Sequence, residues 1–128
     1  MATPRARVAR PAAAPIRSER WVSDAGDAAQ AVLLVPADLL HERRFEISCS
    51  LQVRCPAELD GEWFELTVLA DGALQWQRRI RASLPGQSDS LDYRFSRQLA
   101  AGQALRLVLR SAVHGVVRQR LYLQAEQD

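Results

Sequence analysis

The sequence contains no lysine and no asparagine, only two cysteines and two histidines, and just 6% aromatic residues. Each shortage excludes something. Without asparagine the chain has no acceptor for an N-linked glycan. The absence of lysine beside 17 basic residues makes every cation an arginine, a bias read first as a codon effect. Cys49 and Cys55 lie six positions apart in one alternating run, about 20 Å at the rise of a strand and beyond disulfide reach. Two free thiols suit a reducing compartment. The two cysteines and two histidines lack the spacing of a zinc site, so no metal is expected. His41 and His114 stand near no recognisable nucleophile motif, and no glycine-rich loop follows a strand and opens a helix. The expectation is therefore a non-enzyme with no catalytic residue and no cofactor. No stretch approaches the roughly 20 apolar residues of a membrane span, and the first twenty residues lack the apolar run of a secretory signal. A cytoplasmic location is expected.

Charge is unevenly spread. Residues 1–20 carry Arg5, Arg7, Arg10, Arg17 and Arg20 against Glu19, a balance of 5 − 1 = +4. Residues 21–128 carry 12 arginines against 14 acids, a balance of −2. Half of the six prolines fall in the first segment, which has no hydrophobic period and reads as an extended arm. A basic arm on a faintly acidic body points to an anionic partner.

Residues 21–128 read as one all-β domain. Its organising stretch is Glu62–Leu84, two alternating runs joined by Asp71-Gly72. A two-residue turn there mixes apolar and polar side chains on both faces, whereas a three-residue loop Ala70-Asp71-Gly72 sets Val68 by Leu74, Leu66 by Trp76 and Phe64 by Arg78. The three-residue loop is the expectation, because it leaves one greasy face. Residues 43–55 alternate without a break, with Phe45, Ile47, Cys49, Leu51 and Val53 on one side; 29–35 form a shorter apolar run stopped by Pro36, read as a strand with a helical turn as the alternative. The same loop logic at Ala100-Ala101-Gly102 and Val113-His114-Gly115 makes consecutive hairpins of the last three runs. All six glycines fall between runs. About seven strands in an antiparallel two-sheet β-sandwich follow, immunoglobulin-like or jelly-roll in topology.

Two surfaces are candidates. Under the hairpin register the last two strands present Arg106, Arg110, Arg118, Arg120 and Tyr122 on one face, with Arg110 opposite Arg118, an arrangement that calls for an anion. Together with the arm, this face predicts an interaction or structural-assembly subunit that docks on another chain or on a copy of itself. The alternative is a carbohydrate- or small-ligand-binding module using Trp63 as a platform beside Glu65 and Arg79. Nucleic acid held by the arm is the third candidate partner, and no membrane contact is expected. Arg78 and Arg97 fall on inward positions and need a partner or an exit to water.

Overall fold

The structure, a computed structural model, describes residues 18–128. Eight strands follow in order: β1 (Arg20–Asp24), β2 (Gln30–Val35), β3 (Arg43–Arg54), β4 (Trp63–Ala70), β5 (Ala73–Arg81), β6 (Ser88–Leu99), β7 (Leu105–His114) and β8 (Val117–Gln127). They form two antiparallel four-stranded sheets, a front sheet ordered β1-β8-β3-β6 and a back sheet ordered β2-β7-β4-β5. The domain is a β-sandwich. No helix among the described residues is long and apolar enough to cross a membrane.

One turn sets the whole pairing scheme. In β4–β5 the paired numbers sum to 143 next to the turn (Leu69 with Leu74) and to 144 farther along (Val68 with Trp76). The corresponding sums are 142 for β3–β6 (Arg43 with Leu99), 140 for β2–β7 (Gln30 with Arg110) and 146 for β1–β8 (Arg20 with Glu126). Every strand of the first half is thus paired with its mirror about Asp71-Gly72, and the chain is one long hairpin rolled up. Further pairing of β3 with β8 and of β4 with β7 closes each sheet. That nesting, with successive pairs alternating between two sheets, is the jelly-roll connectivity rather than the immunoglobulin one.

Alternation builds the core. Phe45, Ile47, Cys49, Leu51 and Val53 of β3 are all buried beside Leu121 and Leu123 of β8 in the same sheet, and together they pack on Phe64, Leu66 and Val68 of β4 and Leu105, Leu107 and Leu109 of β7 in the other. β2 adds Ala31, Leu33 and Val35. At the open side of the sandwich Trp76 of β5 stacks on Tyr93 of β6 at 4.4 Å, and Tyr93 on Phe95 at 5.5 Å. Both cysteines are buried free thiols, and burial pushes the Cys49 thiol up to about 12.

Two expectations are corrected. The turn at Asp71-Gly72 has two residues, not three, with positive φ at both (50° and 82°), as the twist of a tight hairpin demands. The greasy face survives because a one-residue bulge follows: Leu69 pairs with Leu74, but Val68 pairs with Trp76, Leu66 with Arg78 and Phe64 with Ile80. The bulge restores the parity that the shorter turn had broken. Second, β6, β7 and β8 are not consecutive hairpins, since each connection crosses between sheets. The eight strands agree with the expected number of about seven. Of the two inward arginines, Arg78 is exposed, and Arg97 reaches the Asp71 carboxylate at 3.8 Å.

Candidate functional site

Because β7 and β8 lie in different sheets, the predicted arginine face does not exist as one surface. Arg106 and Arg110 project from the back sheet, where they sit beside Leu34 and Gln30 of β2. Arg120 and Tyr122 project from the front sheet, beside Gln52 and Ser50 of β3. A register shift between Gln52 and Val53 turns Arg118 to the opposite side from Arg120. Arg118 is consequently half-buried between the sheets, donating from Nε to Ser111 Oγ at 2.8 Å and from Nη2 to the Ser111 carbonyl at 3.1 Å. Arg110 and Arg118 are not ladder partners. The arm arginines Arg5, Arg7, Arg10 and Arg17 lie outside the described residues.

The front outer face is polar, and several of its charges are paired within it, although Arg94 of β6 has no partner among the described residues. Arg120 donates to Asp24 Oδ2 from Nη2 at 2.9 Å and from Nε at 3.1 Å, and its guanidinium lies 4.4 Å from the Tyr122 ring. These bonds, with a further one from the Gly26 N–H, hold the Asp24 carboxyl below the usual carboxylate range. Arg20 donates to Gln124 at 2.8 Å, Arg44 pairs with Asp128 at 3.1 Å, and Ser96 donates to Glu46 at 2.8 Å. A shallow cavity of about 420 Å³ on this side is lined by Ser50, Gln52, Leu84, Ser88, Asp89 and Ser90.

The back outer face differs. Reading across its strands, Val32 of β2 pairs with Val108 of β7, Val108 with Leu69 of β4, and Leu69 with Leu74 of β5, giving an apolar row that spans all four. Leu34 extends it on β2. Leu34 and Leu74 are 61% and 62% exposed and Val32 39%, whereas Val108 at 3% is buried although it stands outside the core cluster. Arg106 and Arg110 flank Val108 two positions to either side. Neither guanidinium makes an ion pair or hydrogen bond among the described residues. The Asp71 carboxylate accepts from the Arg106 backbone N–H at 2.9 Å and pairs with Arg97 rather than with the Arg106 guanidinium.

Trp63, Glu65 and Arg79 do come together, at the far end of this face. Arg79 donates from Nε to Glu65 Oε2 at 3.3 Å and lies 3.6 Å from the Trp63 ring centroid, while His114 stacks near Trp63 at 6.0 Å. The ring of the expected platform is therefore capped by its own neighbours, and a sugar has to displace Arg79 to reach it.

Sequence reasoning missed the apolar row, although its signal was present. Val32, Leu34, Leu69 and Val108 are apolar residues at the parity that alternation assigns to solvent, and a strand with two greasy sides has something on both. It also missed Arg43. That side chain is buried (4% exposed), with Nη1 donating to Glu19 at 2.7 Å and Nη2 to the carbonyls of Pro36 at 2.7 Å and Gln103 at 3.4 Å. Its Nε has no partner. Arg43 shares the odd parity of Phe45 and Ile47, which was the available clue.

No protein-family model and no curated protein matches the sequence. Among solved structures, the chain is similar to part of dimeric latent PorU from Porphyromonas gingivalis, with a TM-score of 0.55 and 11% identity. The match covers 86% of this chain and 12% of that one, so the likeness is to a small portion of a longer protein and is one of fold.

Proposed function

We propose that the chain is a non-catalytic contact module that docks a partner chain on the outer face of the back sheet, with the basic arm as a second point of attachment. The observation that carries the reading is the contrast between the two outer faces. The front one is polar, with Arg20, Arg44 and Arg120 paired within it; the back one leaves Val32, Leu34, Leu69 and Leu74 in a contiguous row beside Arg106 and Arg110, whose guanidiniums have no partner among the described residues. Scattered surface leucines need no explanation, but a connected row on one sheet face marks an interaction surface. An apolar centre with an arginine rim is also the composition that contact surfaces favour.

The test compares affinity capture from a lysate of the organism that makes the protein by wild type and by Leu34→Glu/Leu74→Glu. One partner in a fixed ratio, retained by wild type and lost by the double variant, supports the reading. Equal recovery by both, or no recovery by either, counts against it. A chain lacking residues 1–17 measures the arm's share, with weaker capture expected and a steeper loss at high salt for the intact chain.

A further inference from the structure

Resting on this docking reading, we infer that the occupant of the back face is an acidic amphipathic helix laid across the strands. The row Val32–Val108–Leu69–Leu74 crosses three inter-strand gaps, about 14 Å at the usual strand spacing. A helix repeats its apolar side chains every turn, about 5.4 Å along its axis, close to the roughly 4.8 Å step from strand to strand. Three apolar positions at i, i+4 and i+7 therefore fall between the four row residues. Arg106 and Arg110 stand two residues from Val108 on either side, about 6.6 Å away along the strand. That offset matches the 5–6 Å radius of a helix with its side chains. Carboxylates on both flanks of such a helix reach one guanidinium each.

Charge decides against the other occupants. A second copy has no helix to offer among its described residues, since the eight strands are joined by turns and loops. Laying its back face on this one by a two-fold through Val108 sets Arg106 and Arg110 against the same residues of the copy. The chain's own residues 1–17 carry Arg5, Arg7, Arg10 and Arg17 and no acid, so they are repelled by the same rim.

The probe is a synthetic helical peptide of about fourteen residues, with leucines one turn apart and glutamates on both flanks. A control keeps the leucines and carries lysines on the flanks. The inference expects the acidic peptide to bind and gain helical circular dichroism, with the lysine form roughly three- to tenfold weaker at low salt. Arg106→Gln/Arg110→Gln erases that preference, and Leu34→Ser/Leu74→Ser weakens both peptides. Thermal melts identify any variant that fails through misfolding. Absence of binding, equal or tighter binding of the lysine form, or a bound peptide without helical signal overturns the inference. If capture of the natural partner still depends on Leu34 and Leu74 when the peptides fail, the docking reading stands and only the helix is wrong. If capture is also indifferent to them, both fall.

Discussion

Glu19 and Arg43 form the ion pair most removed from water, and the asymmetry of their burial yields an ordering of mutant stabilities. The Arg43 side chain is 2% exposed and that of Glu19 27%, with 2.7 Å between them. Removing the base by Arg43→Met leaves behind a carboxylate that can recover water and that still accepts from Trp21 Nε1 at 3.1 Å. The lost bonds to Glu19 and Pro36 are offset by no longer burying a guanidinium whose Nε lacks a partner, so the net cost is about 1 kcal/mol. Removing the acid charge by Glu19→Gln preserves the shape and the acceptor oxygen but leaves the guanidinium buried without a counter-charge. That costs more, about 2 kcal/mol. The double variant resembles Arg43→Met alone, giving a coupling of about 2 kcal/mol. Urea denaturation at pH 7 of the four proteins measures the cycle. If Arg43→Met proves the costlier single change, with Glu19→Gln near zero, the arginine acts through the Pro36 and Gln103 carbonyls and the ion-pair argument is wrong.

Adjacent leucines on β2 separate the two sides of the back sheet: Leu33→Ala costs about 2–4 kcal/mol because a cavity opens in the core, whereas Leu34→Ala stays within about 0.5 kcal/mol. Equal costs in chemical denaturation contradict the register. Gly115 has φ +76° and a Cβ there meets the Glu62 side chain, while Gly102 at φ +82° has open space; Gly115→Ala is accordingly the worse of the two, Gly102→Ala costing about 1 kcal/mol. Glu62→Ala restores only the steric part, which a thermal melt of the double variant detects. The thiol of Cys49, pushed up to about 12 from 9.0 by burial, favours the folded state only while protonated. Its contribution is intact below pH 9 and lost as pH rises from 9 towards 12. Cys49→Ala, though less stable, shows a shallower decline over that range, and an unchanged slope refutes the assignment.

Sequence alone disclosed the local periods but not the pairing. β3 was legible residue by residue, because Phe45 to Val53 alternate strictly and one register satisfies them. β2 was read as a strand against a helical turn, because its run AVLLV has no polar alternation to type it and Pro36 marks only where it ends. What was hidden is that the partner of residue i lies near 143 − i. Only β4–β5 is local enough for turn chemistry to speak, and there the sequence supplied the Asp-Gly signal while concealing the compensating bulge. Elsewhere a glycine says that a strand ends, not which sheet receives the next one. The arginine surface failed for that reason: Arg110 and Arg118 are eight residues apart in sequence, yet one belongs to each sheet. The apolar row followed from the same nesting, since Val32, Val108, Leu69 and Leu74 become neighbours only when β2, β7, β4 and β5 are placed side by side.

The most direct test of the docking face is methyl NMR of the leucines and valines, recorded for the chain alone and saturated with the partner it captures. Shifts concentrated at Val32, Leu34, Leu69, Leu74 and Val108, with Val22 on the front face unmoved, are the predicted result. Shifts centred on Val22 and its front-sheet neighbours, with the back row unchanged, contradict the account.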